Sequence, residues 1–358
     1  MHLPEPTLTL TLPSIHDGTI LDCRIYHPLS PSSELWHPRH AAVVAHPYAP
    51  LGGSYNDPMV AEVATQFLWA GFITATFNFR GAGNSTGRTS WTSRPERDDY
   101  TSIVGFLVYY VHSLDPRKPG DAEAPILVLS GYSYGAMITS QLPPIEAVMA
   151  VFANPPLDSD AGHIRTLAET LAHQQRRITN SHGIRVGETS PRRRSSSIGD
   201  GSIRGIARRT RHRARSSLGS INSINSSATS PTSPQQRQRP DLTLPLVSGL
   251  VRPQPAYLLI SPLQGPITNL VTISRSPGHS AAEAQLRIHP TLAVYGDGDI
   301  FVSVKRLRAW TERMENAQDS KFRGREIPGA GHFWIEEGVL SEMMRLVADF
   351  VKQLLGPG

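Results

Sequence analysis

The sequence predicts an α/β fold with one mostly parallel β-sheet, helices on both faces of that sheet and an antiparallel hairpin at the N-terminus. Two observations predict it. Short apolar runs alternate with stretches of helical periodicity over residues 41–155 and again over residues 256–355. Before them, Leu and Thr alternate over residues 8–12, and a second apolar run follows the turn-forming dipeptide Asp17-Gly18.

The first half of the chain carries clear local signals. Ala41–Ala45 is a short, wholly apolar run, which suits a strand buried on both faces. Asp57 and Pro58 suit the N-cap and first position of a helix, and Gly71 suits its end. Further apolar patterns predict strands at residues 20–26, 72–79 and 125–129 and helices at residues 103–114 and 136–142.

The second half repeats the alternation of strands and helices. Strands are predicted at residues 256–260 and 291–295, with an edge strand at residues 321–327. Helices are predicted at residues 304–314 and 339–354, because each carries its apolar residues on one face. These elements complete the single sheet that the first half begins.

Residues 158–255 interrupt this pattern. The domain therefore consists of residues 1–157 and 256–358, with an insert at residues 158–255 between the two parts. The start of the insert predicts a short amphipathic helix, a candidate lid, from the spacing of Ile164, Leu167 and Leu171. Residues 176–239 contain no Phe, Tyr or Trp, and we predict disorder there because the apolar area is too small to offset the entropy of ordering.

The positive charge of the protein is confined to the insert. Residues 176–239 hold 14 Arg, no Lys and two acidic residues, whereas the rest of the chain holds 21 basic and 28 acidic residues. Arginines directly before Ser195 and Thr210 suit a basophilic kinase. The alternatives are an anionic partner, nuclear import or a merely solvated loop. No aromatic residue lies among the arginines, so specific nucleic-acid binding is not expected.

Composition excludes several classes of protein. Cys23 is the one cysteine, so neither an internal disulfide nor a multi-cysteine metal site is available. We predict no metal and no cofactor. The N-terminus lacks the pattern of a signal peptide, and the longest apolar run, residues 103–111, is about half the length that crosses a bilayer. We therefore expect a cytoplasmic protein without membrane association, or a nuclear one if the basic insert acts as an import signal.

The motif Gly131-Tyr132-Ser133-Tyr134-Gly135 lies between a predicted strand and a predicted helix. A serine on such a turn is exposed at the carboxyl end of the sheet, where it can act as a nucleophile. The same G-x-S-x-G pattern recurs around Ser85, but no apolar helix follows that copy. The context therefore favours Ser133.

A serine nucleophile needs a base, and the base needs an acid that orients it. His332 lies in a Gly-rich loop just after the last predicted strand, within reach of the same sheet edge. Asp297 and Asp299 both follow the strand at residues 291–295. We favour Asp299, because it lies further past the strand, where the chain turns back towards the histidine loop.

Two backbone N–H groups must stabilise the oxyanion that such a site forms. The N–H of Tyr134, directly after the nucleophile, is the first candidate. The second comes from the loop after Ala41–Ala45, where Pro47 and Pro50 have no N–H to donate, which leaves Tyr48, with Ala49 as the alternative. The aromatic residues nearest these positions predict an apolar substrate pocket, although they also suit the core: Tyr132, Phe301, Phe333 and Trp334.

At these residues the sequence resembles the α/β-hydrolase superfamily, most closely its dienelactone-hydrolase-like and serine-peptidase-like branch. Four blocks carry the resemblance in family order: His46–Gly53, Asn78–Ser85, Gly131–Gly135, and the late loops with Asp299 and His332. The resemblance implies the α/β-hydrolase fold, and it assigns residues 80–85 to a structural turn. It also places the insert where other members carry a lid, although an Arg- and Ser-rich segment differs from the usual apolar lid.

Three functions remain open at this point. The first is a serine hydrolase that cleaves an ester, thioester or amide of a small molecule through an acyl-enzyme. The second is an aminopeptidase-like peptidase, which the tyrosine after the nucleophile also suits. The third is a non-catalytic binding protein on the same scaffold, although such a protein has no need of the base.

Overall fold

The computed structural model describes residues 3–28, 39–115, 123–182, 242–263 and 278–356. Within them the strands are β1 (Leu8–Pro13), β2 (Ile20–Tyr26), β3 (Ala41–Ala45), β4 (Ile73–Phe77), β5 (Ile126–Tyr132), β6 (Gln254–Ile260), β7 (Thr291–Gly298) and β8 (Phe322–Gly331). The helices are α1 (Pro58–Trp69), α2 (Arg94–Leu114), α3 (Tyr134–Thr139), α4 (Ile145–Ala153), α5 (Asp160–His182), α6 (Gly278–Ile288), α7 (Val304–Glu315) and α8 (Val339–Leu355).

The eight strands form one sheet in the order β1-β2-β4-β3-β5-β6-β7-β8. β1 pairs antiparallel with β2, and β2 pairs antiparallel with β4. The other neighbours pair in parallel, from β4 through to the edge strand β8. This arrangement confirms the predicted fold class and the N-terminal hairpin.

The core lies on both faces of the sheet. Alternate residues of β3 point in opposite directions, so that Val43 belongs to one apolar cluster and Val44 to the other. The helices α2 to α7 supply residues to the first cluster, and α1 and α8 supply residues to the second. The parallel strands are therefore buried on both sides, and their carboxyl ends meet at one exposed edge.

Local signals explain most element boundaries. The side chain of Asp57 accepts a hydrogen bond from the backbone N–H of Met59 at 2.8 Å, which confirms it as the N-cap of α1. Several predicted elements extend further in the structure, among them α2, β5, β7 and β8. β5 continues to Tyr132 rather than ending before the glycine, and α2 begins at Arg94 rather than near residue 103. The helices α4 and α6 were not predicted.

The predicted helix at the start of the insert exists and is longer than expected. α5 continues to His182, so the prediction of disorder was wrong for residues 176–182. Its buried face belongs to the core, where Ile164, Ala168 and Ala172 pack. The guanidinium of Arg165 is also buried and donates to the carbonyl oxygen of Ala153 at 2.8 Å. The rest of the Arg- and Ser-rich segment, residues 183–241, lies outside the described residues, as do Ser195 and Thr210.

The chain before α5 and the last part of the insert meet in a short backbone ladder. Leu157 donates to the carbonyl oxygen of Leu242 at 2.8 Å, and Leu244 donates to that of Pro155 at 2.9 Å. This ladder anchors the returning chain next to the core.

In the portion of the chain that the structure describes, no helix combines the length and apolar character required to cross a membrane.

Candidate active site

Ser133 occupies a sharp turn between the end of β5 and the start of α3. Its φ is 57° and its ψ is −113°, a conformation that residues with a side chain rarely adopt. Two backbone hydrogen bonds hold the turn. The N–H of Ser133 donates to the carbonyl oxygen of Ile260 at 2.8 Å, and the carbonyl oxygen of Ser133 accepts from the N–H of Met137 at 3.0 Å. These two bonds stabilise the strained conformation of Ser133. The turn places the hydroxyl at the carboxyl edge of the sheet.

The two glycines of the motif are required by close backbone contacts. A Cβ on Gly131 would overlap the backbone of Gly135. A Cβ on Gly135 would lie 2.5 Å from the carbonyl oxygen of Ala45 at the end of β3. Real Cβ atoms do not approach this closely, so only glycine lets α3 approach β3 and β5.

His332 joins the proposed nucleophile to the proposed acid. Its Nε2 lies 2.8 Å from the hydroxyl oxygen of Ser133, and its Nδ1 lies 2.7 Å from Oδ2 of Asp299. A carboxylate can only accept, so Nδ1 carries the proton and Nε2 is left to accept from the serine hydroxyl. The structure thus brings together the three side chains that the sequence singled out, in the tautomer that a general base needs.

The carboxylate of Asp299 is fixed by three donors. Its Oδ1 accepts from the backbone N–H groups of Phe301 at 2.8 Å and Val302 at 3.1 Å, while Oδ2 faces His332. Burial alone raises the pKa of Asp299, but the hydrogen bond and charge of His332 and the two N–H groups bring it below its ordinary value. Asp297, the alternative acid, instead accepts from the N–H of Gly329 at 2.7 Å and braces the histidine loop.

Aromatic residues hold the imidazole in place. The hydroxyl of Tyr132 donates to the backbone carbonyl oxygen of His332 at 2.9 Å. Burial raises the pKa of Tyr132, so this hydroxyl stays protonated and remains a donor. The ring of Phe301 meets the imidazole edge-on with centroids 4.6 Å apart, and that of Phe333 does so at 5.4 Å. With 3% of its surface exposed, His332 has little freedom to rotate.

The predicted oxyanion donors lie on segments that meet beside Ser133. Tyr134 is the first residue of α3, so its backbone N–H has no partner within the helix. Tyr48 precedes a short 3₁₀ turn, Ala49–Leu51, and its ring centroid lies 5.1 Å from that of Tyr134. The N–H groups of Tyr134 and Tyr48 therefore stay the predicted pair of oxyanion donors.

His46 anchors the loop that carries Tyr48, a role that the sequence analysis missed. Its Nδ1 donates to the carbonyl oxygen of Pro47 at 2.6 Å, and its Nε2 accepts from the N–H of Phe79 at 2.9 Å. Burial lowers the pKa of His46 to about 4, so the imidazole is neutral and this tautomer is fixed at neutral pH. The available signal was the position of His46 directly after β3, at the start of a loop that contains two prolines and two glycines.

A cavity of about 390 Å³ opens over Ser133 and His332. Three of the four predicted pocket residues line it: Tyr132, Phe301 and Phe333. The prediction for Trp334 was wrong, because its indole is buried beneath the loop and Nε1 donates to the hydroxyl of Ser261 at 3.0 Å. The wall also contains residues that were not predicted to line it, chiefly Leu51, Asp57, Met137 and Leu263. Its size suits a small organic molecule.

Comparison with family models gives one match, to the model described as the alpha/beta hydrolase family, over residues 33–350. The chain belongs to the alpha/beta hydrolase family. This confirms the resemblance seen in the sequence blocks around Ser133 and His332. The comparison with curated proteins found no significant match.

Solved structures of alpha/beta hydrolases are similar in fold. A serine hydrolase without a lid from Xanthomonas campestris is 16% identical, with a TM-score of 0.51 over 100% of this chain and 99% of its own. A candidate alpha/beta hydrolase from Agrobacterium tumefaciens is 19% identical, with a TM-score of 0.49 over 97% and 95%. An esterase from Pyrococcus furiosus is 11% identical, with a TM-score of 0.48 over 98% and 93%. At these identities the likeness concerns the fold alone.

The second G-x-S-x-G sequence is structural in this alpha/beta hydrolase. The hydroxyl of Ser85 donates to the carbonyl oxygen of Asn78 at 2.8 Å and accepts from the N–H of Asp22 at 2.9 Å. Nearby, the guanidinium of Arg80 is paired with Asp99 at 2.7 Å and Asp17 at 3.0 Å. Ser85 therefore ties a turn to β2 and does not face the cavity.

The candidate lid helix does not cover the cavity. No described residue of α5 lines it, because the apolar face of this helix packs on the core beside α4. The interpretation of residues 164–171 as a cover over Ser133 was therefore wrong.

Among the described residues, no group of three His, Cys, Asp or Glu side chains is arranged to hold a metal ion.

Proposed function

We propose that this alpha/beta hydrolase cleaves a carboxylic ester, thioester or amide of a small molecule through an acyl-enzyme on Ser133. One observation carries the proposal. An unbroken chain of hydrogen bonds runs from Asp299 through His332 to the hydroxyl of Ser133, and that hydroxyl faces a cavity. A binding protein has no use for this arrangement, because the base and its acid contribute only when a proton moves.

The first half-reaction follows from this geometry. Nε2 of His332 takes the proton of the Ser133 hydroxyl while the oxygen attacks the substrate carbonyl carbon. The carbonyl oxygen becomes an oxyanion, which the N–H groups of Tyr134 and Tyr48 stabilise. The imidazolium, held by Asp299, then gives its proton to the leaving alcohol, thiol or amine. The bond to the leaving group breaks, and the acyl group remains on the serine oxygen.

Water completes the cycle. Nε2 of His332 removes a proton from a water molecule, whose oxygen attacks the acyl carbon. The second tetrahedral intermediate collapses when Ser133 leaves and recovers its proton from the imidazolium. The carboxylic acid is released, and the starting protonation states are restored.

The cavity wall supports a substrate with an apolar portion. Leu51, Met137, Leu263, Phe301 and Phe333 all contribute side chains to it. Burial of an apolar group against such a wall contributes about 25 cal/mol per Å² of apolar area removed from water. An acyl or alcohol group of several carbons therefore suits the site better than a strongly hydrated one.

Fluorophosphonate labelling tests the proposal. We expect the wild-type protein to form a covalent adduct on Ser133 and to hydrolyse p-nitrophenyl esters of short acids. Ser133→Ala removes both, while Ser85→Ala, the matched control on the second copy of the sequence pattern, retains both. Labelling of folded Ser133→Ala protein, or the absence of any labelling in wild type, contradicts the assignment.

A further inference from the structure

Asp57 provides a carboxylate in the wall of a cavity that is otherwise mainly apolar. Among the described residues that line this cavity, no other Asp or Glu is present, and no Lys or Arg is present either. Buried pockets of this kind gain specificity from their few polar groups. Asp57 takes no part in the proposed reaction, and its role as the cap of α1 does not require a place in the cavity wall.

The carboxylate of Asp57 is only partly satisfied by the protein. Oδ1 accepts from the N–H of Met59 as the cap of α1. No described side chain hydrogen-bonds or ion-pairs with either oxygen, whereas Asp17 and Asp99 both pair with Arg80. Burial raises the pKa of Asp57, and the backbone N–H groups of the cap offset this only in part. Such a desolvated carboxylate gains most from a cationic partner.

Asp57 and the aromatic wall come from segments that follow strands on different sides of β5 in the sheet. The sheet order places β5, which ends before Ser133, between β3 on one side and β6, β7 and β8 on the other. Asp57 follows the loop after β3, whereas Phe301 and Phe333 follow β7 and β8. Asp57, Tyr132 and Ser133 line the same cavity, so the carboxylate lies near the serine turn.

We propose that Asp57 is a specificity-determining residue that binds an ammonium group of the substrate, while the apolar part of the substrate lies against Phe301 and Phe333. This inference rests on the proposed hydrolase function and deepens it. The substrate class is an ester, thioester or amide that carries an ammonium group on one side of the reacting carbonyl. A hydrogen bond to a charged group under partial burial contributes enough to change kcat/KM by about 10- to 100-fold.

Pairs of substrates with the same shape and different charge test the proposal. One pair is 2-(dimethylamino)ethyl acetate, protonated at neutral pH, and 3-methylbutyl acetate. The other is p-nitrophenyl 6-aminohexanoate and p-nitrophenyl heptanoate. The first pair places the cation in the leaving group and the second places it in the acyl group. We expect the wild-type protein to prefer the cationic member of one pair by about 10- to 100-fold in kcat/KM.

Asp57→Asn is the decisive variant. Asparagine caps helices as well as aspartate does, so α1 keeps its N-terminus while the charge is lost. We expect the cationic preference to fall to about one, and Glu62→Gln, on the same helix and outside the cavity wall, to retain it. Hydrolysis of both neutral esters without a cationic preference, or a preference that survives in Asp57→Asn, overturns the proposal. Failure of wild type to hydrolyse any of the four esters, together with the absence of fluorophosphonate labelling at Ser133, overturns the hydrolase function itself.

Discussion

Replacement of Asp299 by asparagine should reverse the tautomer of His332. The N–H groups of Phe301 and Val302 both donate to Oδ1. They will therefore keep the amide oxygen of the asparagine at that position, and the NH₂ group will replace Oδ2, 2.7 Å from Nδ1. An amide NH₂ can only donate, so Nδ1 must accept and the imidazole proton moves to Nε2. Nε2 then points a hydrogen at Ser133 and cannot remove its proton.

The expected loss is large and confined to the chemical step. General-base catalysis contributes about 10²–10⁴ in rate, so kcat for a p-nitrophenyl ester should fall by about that factor in Asp299→Asn. KM should change little, because Asp299 does not line the cavity. The free energy of unfolding should change by about 1 kcal/mol, because the N–H groups of Phe301 and Val302 keep an acceptor and the new NH₂ group finds one in Nδ1.

Asp297→Asn is the control that separates the two candidate acids. Its oxygen can still accept from the N–H of Gly329, so we expect a loss in kcat smaller than about tenfold. Steady-state kinetics on both variants, with circular dichroism to verify folding, give the comparison. The tautomer argument fails if folded Asp299→Asn retains more than about a tenth of wild-type kcat, or if Asp297→Asn loses as much.

Two further predictions concern stability. Ser85→Ala leaves the N–H of Asp22 without its buried acceptor and should lower the free energy of unfolding by about 1–3 kcal/mol while kcat is retained; a loss of kcat in folded protein contradicts a structural role. The pKa values of His27 and His46 are lowered from 6.5 to about 4 by burial, so between these values the unfolded chain binds protons that the fold does not. The melting temperature should therefore fall as the pH is lowered from about 6.5 to about 4, and a flat profile over that range contradicts the assignment.

The elements that position the nucleophile were predictable because their signals are local. The cap at Asp57 depends on Met59, two residues along the chain, and the G-x-S-x-G spacing around Ser133 is itself a local pattern. The position of His332 was also predictable, since a loop after the last parallel strand reaches the same sheet edge as the nucleophile. The order of the strands could not be predicted from local signals. β4 lies between β2 and β3, and that order depends on contacts between residues that are distant in sequence.

The direction in which a loop side chain points could not be predicted from the sequence. Phe333 and Trp334 are adjacent aromatic residues, yet the first lines the cavity and the second is buried against Ser261. Trp334 has a positive φ of 58°, and no local sequence pattern predicts this backbone conformation. Asp57 illustrates the same limit, because its capping role explained the residue fully until the cavity was seen beside it.

Helices α4 and α6 were missed for a different reason. α4 carries a helical signal in the spacing of Ile145, Val148 and Phe152, but the prolines directly before it suggest a loop. α6 is short, and among its residues with described burial it places Ala282 and Leu286 in the core. In both cases tertiary packing stabilises an element whose own sequence is ambiguous.

The catalytic groups come from two stretches of chain that flank the Arg- and Ser-rich segment. Tyr48 and Ser133 of the proposed site precede it, and Asp299 and His332 follow it. The seam between the stretches is the pairing of β5 with β6, which runs from Ile126 opposite Gln254 to Tyr132 opposite Ile260. A nick within residues 183–241 thus yields two polypeptides that still share one sheet and one interior.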